Sequence, residues 1–546
     1  MRLAPLALAL LAALAAAVPL TRDPALPLEA RAHAVVRAAD AAAAARVAAA
    51  VGATVARPLA LPGHFLAEMH PDMPPHPAVL YVTEGVEVAA RVGVRPPVPI
   101  PHLGRDAPPP PDWTLGPLNA RAAWNVSDGA GALVVVPDTG ADWTHPDLAR
   151  GAGALAANVA EPGGSPMPPD DEYHGTAVAS LVVAADNGAC GTGVAPGATV
   201  APVRLLATGR PLTSTQKAEA LLHAPRAVAA VTNSWGPSDV DPAVVRLDDV
   251  LRAAFAELNR RNTVLIFAAG NGQRYGDHMA ADGFASSRHT LAVGALGADG
   301  RAAPYTESGA VAVAAPSSDD AVGVTAALPH GRCTGAFSGT SAAAPQIAGV
   351  VALLRPAPGA PPLTPADVLD VLVHAAAANA HRVAPAEPMA RNAAGLYYSP
   401  RVGFGVPDAA AAVALAAART ARWVPRDVAA PLALPHPYAP YGSALFEANV
   451  TAQGTVVWAS ATLGLELGDC VLARVSLIAL ESPAGTYIPV FRRTYIYDAH
   501  SVPELEFPTR GFHGEQAAGR WRVHVRHECS PSVLVTGVSR VELQVV

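Results

Sequence analysis

One short segment limits most strongly how this chain can fold: Gly339–Pro345, which reads G-T-S-A-A-A-P. It joins a turn of small residues to the apolar run 346–354, which predicts a buried helix that begins near Ser341. A helix N-terminus favours negative charge, and its free N–H groups can hold an oxyanion. An activated serine at this point can attack a carbonyl carbon, although a helix cap before an ordinary core helix has the same pattern.

Three further polar residues stand at the ends of predicted buried elements. Asp138 follows the apolar run 133–137, and Asn271 follows the run 263–269; both runs are typical of buried strands. His174 opens a stretch of small and apolar residues that predicts a helix. Singly, each has an ordinary explanation as a turn residue or a core histidine. Their order along the chain, with Ser341 last, indicates one hydrolytic site.

The residue types define the chemistry expected at that site. Ser341 is the expected nucleophile, and His174 is the base that takes its proton and later passes it to the leaving amine. Asp138 would hold the imidazole in the required tautomer, and Asn271 would donate its side-chain amide to the oxyanion. His145, in the sequence His-Pro-Asp-Leu, is the competing histidine.

Composition and charge bound the class of protein. A chain of 546 residues can hold several domains with full cores. Its net charge of −7, with no basic block, argues against nucleic-acid binding. The apolar run 3–18 after Met1 and Arg2 predicts a secretory signal peptide over residues 1–17. No later segment has the roughly 20 continuous apolar residues of a membrane-spanning helix, so no transmembrane segment is expected.

Two proline-rich stretches, 96–111 and 425–440, mark linkers in the chain. The alanine-rich segment before the first linker fits a small α/β unit. Between the linkers, apolar strand patterns alternate with helical ones, which predicts an α/β domain with a mainly parallel sheet. From residue 445 short alternating strands predict an all-β domain that folds as a sandwich.

The order Asp138, His174, Asn271 and Ser341, in these local contexts, resembles the subtilisin superfamily of serine proteases. The segment 233–239, N-S-W-G-P-S-D, and the C-terminal β region narrow the resemblance to the kexin/furin-like proprotein convertases. It covers about residues 112 to 546 and implies that His145 is structural. The implied domains are an inhibitory α/β propeptide (18–105, ending between 91 and 105), a subtilisin-like peptidase domain (106–423) and a jelly-roll-like P domain (424–546).

The resemblance also implies an activity. It predicts a calcium-dependent serine endopeptidase that processes precursor proteins after arginine, in the lumen of the secretory pathway or after secretion. The expected partners are protein or peptide substrates with basic cleavage sites and the chain's own propeptide, with the enzyme itself a monomer. Asp239 and Asp282 correspond to the acidic pair that receives the P1 side chain, the residue before the cut bond. Asp171 is the candidate acid for the P2 side chain.

Two calcium sites are implied in the same way. The first, beside the P1 pocket, comprises Asp239, Asp277 and Glu307. The second comprises Asp106, Asp147 and Asn187, with backbone carbonyls of the loop 187–191. Carboxylate and amide oxygens suit a hard cation such as Ca²⁺.

The chain departs from the family pattern at three positions. Thr139 stands where convertases usually have a second aspartate, and Lys217 and Val245 stand where acids would read a P4 arginine. A lysine there would repel a basic side chain. These departures predict an enzyme that accepts a single P1 arginine. The propeptide junction agrees, because its arginines are isolated at positions 91, 95 and 105.

Four cysteines allow two disulfides in an oxidising compartment, with three possible connectivities. The family resemblance implies the pair Cys190–Cys333, which leaves Cys470 and Cys529 as the second pair.

Three further residues carry predictions for a secreted precursor. His64, within Pro62–Phe65, resembles the propeptide histidine of convertases that senses acid. Asn125 and Asn449 begin Asn-Val-Ser and Asn-Val-Thr sequons, which are acceptor motifs for glycans.

Two other functions compete with the convertase interpretation. One is a secreted subtilisin-like protease of broad specificity, in which the acidic pocket is coincidental. The other is a catalytically inactive scaffold that keeps the fold. The complete set of four catalytic residues argues against the scaffold, and the pair Asp239 and Asp282 separates the two protease alternatives.

Overall fold

A computed structural model describes seven short elements between residues 33 and 90 and most of the chain from 113 to 546. The signal-peptide prediction, the linker 96–111 and Asp106 therefore lie outside the described residues. Cys470 lies in one of the gaps within the second part. The gaps in that part are 149–154, 209, 224–227, 240–243, 320–321, 355–361, 421, 434–437, 468–471, 493–500 and 536–537.

The chain divides into two compact units, and the first comprises residues 1–86, 211–223 and 247–257. Its main feature is a four-stranded antiparallel sheet, accompanied by an alanine-rich helix. The α/β unit expected before the first linker thus has both a sheet and a helix, and His64 begins one strand of the sheet. The strands, in sheet order, are Thr54–Pro58, His64–Glu68, His33–Arg37 and Val79–Thr83. The remaining elements are the helices Ala41–Ala50 and Ser214–Leu221 and the paired strands Gly85–Val86 and Leu212–Thr213.

The second unit comprises residues 87–210, 224–246 and 258–546 and contains a seven-stranded sheet. All six strand pairs in it are parallel. Its strands are rich in valine and alanine and almost wholly buried, as expected when both faces of a parallel sheet are covered. In sheet order the strands are Val311–Pro316, Thr290–Leu296, Val264–Ala268, Ala230–Asn233, Leu133–Asp138, Thr199–Arg204 and Ala157–Asn158.

Helices pack against this sheet and supply much of the core. The Thr340–Leu353 helix is buried along its whole length, as the apolar run after Ser341 predicts. The other α-helices of this unit are Ala120–Ala123, His174–Val183, Pro365–Ala378 and Ala409–Ala418, whereas most of the helix Asp249–Arg260 belongs to the first unit. The short 3₁₀ turns are Pro146–Leu148, Gly272–Tyr275, Met279–Ala281, Ala380–Arg382 and Leu472–Arg474. Among the described residues, no helix has the length and apolar character needed to cross a membrane.

The C-terminal part of the second unit is an antiparallel sheet of eight strands, in agreement with the predicted all-β region. Arg510, which is buried, connects it to the parallel sheet by donating to the carbonyl oxygens of Thr290 and Val457. The strands are Arg426–Pro431, Tyr438–Val450, Val456–Glu466, Val475–Glu481, Tyr487–Arg492, Ser501–Thr509, Gly519–Val535 and Arg540–Val545. Three two-stranded pairs complete the unit: Val324–Leu328 with Arg332–Phe337, Ala390–Arg391 with Tyr397–Tyr398, and Ala89–Ala90 with Trp235–Gly236.

The parallel sheet explains how residues distant in sequence meet. The Ala230–Asn233 strand pairs in parallel with Leu133–Asp138 on one side and Val264–Ala268 on the other. Parallel strands end at the same sheet edge, where ligands bind in open α/β folds. That edge therefore holds Asp138, Ser234 and Asn271.

Candidate active site

Asp138 and His174 form a buried hydrogen-bonded pair at the edge of the sheet. His174 Nδ1 lies 2.8 Å from Asp138 Oδ1, which also accepts the Thr139 N–H at 2.8 Å. Asp138 is inaccessible to solvent and His174 is nearly so. The bond to Nδ1 leaves Nε2 as the reactive nitrogen, and Nε2 has no hydrogen-bond partner among the described residues. The pair can therefore accept a proton at Nε2.

Gly175 allows the His174–Val183 helix to start directly against the strand that carries Asp138. A Cβ atom added at Gly175 would lie 2.1 Å from the Gly140 carbonyl oxygen and 3.0 Å from Asp138 Cβ. Thr139 Oγ1 accepts the Gly175 N–H at 3.0 Å, which satisfies one of the free donors at the helix start. Thr139, the departure from the family pattern, is thus a buried structural contact.

Ser341 lies in the first turn of its helix and is held by Ser234. Ser341 Oγ donates to the Ser234 carbonyl oxygen at 3.3 Å, and Ser234 Oγ donates to the Ser341 carbonyl oxygen at 3.0 Å. The second bond has a cause in the sequence. Pro345, four residues after Ser341, has no N–H to donate to that carbonyl. Sequence reasoning did not assign a role to Ser234, although a proline inside a buried helix is a signal that another donor is needed.

Asn271 is oriented by Thr340, the residue before the nucleophile. Asn271 Oδ1 accepts both the Thr340 N–H at 2.8 Å and the Thr340 hydroxyl at 3.0 Å. A backbone N–H can only donate, so the amide oxygen must face Thr340 and the amide nitrogen must face away. Nδ2 lies 3.4 Å from Asp239 Oδ2, and the Asn271 N–H donates to Asp239 Oδ1 at 3.1 Å. The role of Thr340 was likewise missed from the sequence.

Asp239, Asp277 and Glu307, the residues predicted for the first calcium site, converge beside Asn271. Each offers an oxygen, and these oxygens lie within 4.8 Å of one another. Glu307 is buried against Gly270, where an added Cβ would lie 2.1 Å from Glu307 Oε1. Three carboxylates this close, two of them buried, repel one another strongly unless a cation lies between them. The residues therefore fit a divalent, oxygen-seeking ion.

Of the second predicted calcium site, Asp147 and Asn187 lie within the described residues. Asp147 is buried, which raises the pKa of its carboxyl, and its Oδ1 has no hydrogen-bond partner among the described residues. Its Oδ2 accepts the Cys190 N–H at 3.2 Å. Asn187 Nδ2 donates to the Pro146 carbonyl oxygen at 3.3 Å. A buried carboxylate oxygen with no donor fits a cation ligand, whereas Asp106 lies outside the described residues.

His145 has a structural environment, as expected. Its Nδ1 accepts the Asp147 N–H at 3.1 Å, and its Nε2 lies 3.1 Å from the Arg332 carbonyl oxygen. Both ring nitrogens are therefore occupied, and the ring is buried. The predicted Cys190–Cys333 disulfide is present in the same region, whereas the second pairing stays a prediction because Cys470 is not among the described residues.

The other predicted specificity residues occupy different settings. Asp282 is buried, lies outside the acidic cluster, and accepts the Phe284 N–H at 2.8 Å. Val245 is hydrogen-bonded through its backbone to Ala281. Asp171 is exposed in the turn before His174. Lys217 belongs to the first unit and is only 1% exposed; burial lowers its pKa to about 8, against the opposing pull of Asp248.

Comparison with known proteins defines the family of this chain. The model of the subtilase family matches residues 129–405, just over half of the sequence and the part that contains Asp138, His174, Asn271 and Ser341. The chain belongs to the subtilase family. The predicted class, a subtilisin-like serine endopeptidase, is thereby confirmed at the level of the family.

Several curated relatives narrow this assignment. The chain is 32% identical over 437 residues to PC3-like endoprotease variant B from Hydra vulgaris, covering 75% of this chain and 60% of that protein. It is 34% identical over 318 residues to a dibasic-processing endoprotease from Schizosaccharomyces pombe (55% and 43%). Identity is also 34% over 317 residues to neuroendocrine convertase 2 from Bos taurus (55% and 49%). The predicted resemblance to proprotein convertases is confirmed, and the chain spans 43% to 60% of the length of these relatives.

Solved structures support the fold. The serine protease of Aeromonas sobria, in complex with a chaperone, superimposes with a TM-score of 0.66 at 21% identity. The match covers 76% of this chain and 88% of that one. A second structure of the A. sobria protease gives a TM-score of 0.63 at 22% identity. The subtilisin-like α/β fold with a mainly parallel sheet, followed by antiparallel strands, is as predicted.

Proposed function

We propose that this chain is a calcium-dependent serine endopeptidase that processes precursor proteins by cutting after arginine. The observation that carries the proposal is the buried Asp138–His174 pair, 2.8 Å apart, at the sheet edge that also holds Asn271. Ser341 begins the neighbouring buried helix. A serine, a histidine with one nitrogen bonded to a carboxylate, and an amide donor form the constellation of acyl transfer.

Each of these residues has a defined role in the proposed reaction. Ser341 Oγ attacks the carbonyl carbon of the scissile bond while His174 Nε2 takes its proton. Asp138 keeps Nδ1 protonated and stabilises the charged ring. The oxyanion accepts hydrogen bonds from Asn271 Nδ2 and from N–H groups at the start of the Ser341 helix. His174 then protonates the leaving amine, and water attacks the acyl-enzyme by the same steps in reverse.

The bond between Ser341 Oγ and the Ser234 carbonyl belongs to the resting state in this scheme. At 3.3 Å it is a long hydrogen bond for a hydroxyl donor. A rotation of the Ser341 side chain exchanges it for the bond to His174 Nε2 when substrate is present. Catalytic hydrogen bonds of this kind often form only in the complex with substrate.

The substrate's main chain is proposed to bind along the Trp235–Gly236 strand. Trp235 is buried, donates from its indole nitrogen to the Pro137 carbonyl at 2.9 Å and packs edge-on against Phe267 and Phe284. The strand is therefore a rigid edge that leads to Ser234. Ala89–Ala90 pairs with it antiparallel. That pairing supports the proposal that residues 18–105 are an inhibitory propeptide whose end occupies the substrate edge.

Preference for arginine is proposed to come from Asp239 and Asp282, with Asp171 as the acid for the P2 side chain. Carboxylates hold a guanidinium by charge-assisted, bidentate bonds. Ca²⁺ would be held by Asp239, Asp277 and Glu307, and at the second site by Asp147, Asn187 and Asp106. A bound Ca²⁺ supplies positive charge that keeps neighbouring carboxylates together.

The remaining parts of the proposal concern organisation and location. A signal peptide (1–17) and the propeptide (18–105) come first. Residues 106–423 then form the peptidase domain, and residues 424–546 form the P domain. The protein acts as a monomer in the secretory pathway or outside the cell. The Cys190–Cys333 disulfide supports an oxidising compartment.

A second function, a protease of broad specificity, is favoured by one observation. Asp282 lies outside the acidic cluster that contains Asp239, and its Oδ1 is already bonded to the Phe284 N–H. An acid engaged in this way is a weaker partner for a substrate guanidinium.

Peptide kinetics with the purified protein distinguish the two functions. We expect kcat/KM for a P1 arginine peptide to exceed that for the matched P1 leucine peptide by at least about 100-fold, and Asp282→Asn to reduce the ratio. Ser341→Ala should abolish turnover and serves as the control for contaminating proteases. Equal rates for the two peptides would favour broad specificity, and a Ser341→Ala variant as active as the parent protein would refute the proposed nucleophile.

A further inference from the structure

Asp239 belongs to two structures at once, the acidic cluster and the hydrogen bonds around Asn271. Its carboxylate accepts from the Asn271 N–H at 3.1 Å and from the Asn271 amide at 3.4 Å. One of its oxygens also lies within 4.8 Å of a carboxylate oxygen of Asp277 and of Glu307. The proposed oxyanion donor and the proposed calcium ligand are therefore direct neighbours.

We infer that Asp239 is a positioning residue through which a cation in the acidic cluster controls the oxyanion donor Asn271. The inference rests on the proposed calcium site and goes beyond it. In the proposed function the ion holds the acids beside the P1 pocket together. In this inference the ion also determines how strongly the Asn271 amide stabilises the oxyanion.

The orientation of Asn271 limits how the amide can respond. Thr340 holds Oδ1 through two bonds, so the side chain cannot turn over and exchange its oxygen and nitrogen. Thr340 Oγ1 in turn accepts the Gly270 N–H at 3.2 Å, which braces the threonine. Nδ2, with its two N–H groups, therefore stays directed toward Asp239 and is the side-chain atom that can donate to an oxyanion.

The charge of Asp239 makes the interaction of Asn271 with an oxyanion sensitive to a cation. Nδ2 carries two N–H groups, so it can donate to Asp239 and to an oxyanion at the same time. The negative charge of Asp239, however, opposes a second negative charge nearby. A divalent ion bound to Asp239 offsets that charge, so the ion strengthens the hold of Asn271 on the oxyanion.

Glu307 adds a second connection between the cluster and the Asn271 segment. Its Oε1 accepts the Gly272 N–H at 3.0 Å. Its backbone N–H donates to the Gly270 carbonyl oxygen at 3.2 Å. Glu307 is therefore hydrogen-bonded to the backbone on both sides of Asn271. An ion that orders the three acids also fixes the position of that backbone.

Linkage makes the inference measurable at equilibrium. If the ion favours the oxyanion-bound state, a ligand that forms an oxyanion must raise the Ca²⁺ affinity by the same factor. The probes are a peptide boronate with arginine at P1, which forms a tetrahedral, negatively charged adduct with Ser341, and the matched peptide alcohol. The alcohol fills the same P1 pocket without forming that adduct. Ca²⁺ affinity is measured by calorimetry on the full protein with each probe bound.

We expect the boronate to tighten Ca²⁺ binding about tenfold more than the alcohol does. In Asn271→Ala, this extra gain should vanish, whereas the effect of the alcohol should remain. Binding of the alcohol to Asn271→Ala also shows that the variant is folded. Asp277→Asn identifies the site, because it should weaken the Ca²⁺ binding that responds to the boronate.

Results other than these would contradict either the inference alone or the inference together with the calcium site. Equal effects of boronate and alcohol in the parent protein, or an extra gain that survives in Asn271→Ala, would overturn the inference and leave the calcium site intact. If no Ca²⁺ binds, or if Asp277→Asn leaves Ca²⁺ binding unchanged, both the calcium site and the inference are wrong.

Discussion

Ser234 and Ser341 exchange two hydrogen bonds, one in each direction, between side-chain hydroxyl and main-chain carbonyl. The bond to the Ser341 carbonyl replaces the helical bond that Pro345 cannot make. The first turn of the nucleophile's helix is therefore anchored to the strand edge proposed to bind substrate.

Replacing Ser234 by alanine should leave the buried Ser341 carbonyl without this donor. We expect a loss of about 1–3 kcal/mol in the free energy of unfolding and a lower kcat, because the nucleophile's turn is no longer fixed. Ser460→Ala is a matched control, since its buried hydroxyl has no hydrogen-bond partner among the described residues. Thermal unfolding and steady-state kinetics check the prediction; equal losses in both variants would contradict it.

Gly175→Ala should separate His174 from Asp138. The new Cβ would lie 2.1 Å from the Gly140 carbonyl oxygen, so the helix must move away from the strand. We expect overpacking to cost about 1–3 kcal/mol and activity to fall more than stability does, because the moving residue adjoins the proposed base. Gly116→Ala is the control, with 3.7 Å to its nearest atom. Activity in Gly175→Ala like that of the control would show that the close approach is not required.

Calcium should stabilise the protein through the cluster of Asp239, Asp277 and Glu307. Chelation is expected to lower the Tm, because the three carboxylates then repel one another. Asp277→Asn removes one of these charges, so the Tm difference between calcium and chelator should shrink. Asp170→Asn changes an acid whose side chain is 91% exposed and should leave that difference unchanged. A difference in Tm that is the same in all three proteins would argue against this cluster as the binding site.

His289 should make the protein less stable in acid. Burial, aided by the charge of Arg288, lowers its pKa to about 4. The folded state thus binds the proton more weakly than the unfolded state, whose pKa is near 6.5. The stabilisation is complete above about pH 6.5 and is lost as the pH falls toward 4. In thermal unfolding scans from pH 7.5 to 5, His289→Gln should lose less Tm than the parent.

His374 provides a control of opposite sign for that experiment. Its hydrogen bond to Asp370 raises its pKa, so its contribution is present below about pH 6.5 and is lost as the pH rises through the folded-state pKa. His374→Gln should therefore lose more Tm than the parent at pH 5. The same shift in both variants would show that the two histidines do not titrate in these directions.

The sequence alone determined the order of the elements and the chemical type of each site residue. The apolar runs that end at Asp138 and Asn271, and the helices that begin at His174 and near Ser341, are visible because strand and helix burial repeat at short, fixed spacing. The Cys190–Cys333 pair was expected only through family resemblance. Domain boundaries and the roles of the individual site residues remain predictions.

Only the tertiary structure decided which of these residues meet. Asp239, Asp277 and Glu307 come from three separate loops and were expected together only through the family resemblance. The bonds from Ser234 to Ser341 and from Thr340 to Asn271 join distant segments and were not expected at all. Lys217, expected to act on a substrate side chain by its charge, is a buried residue instead. Local patterns record which face of an element is apolar, whereas contacts between elements depend on how the whole sheet and its helices pack.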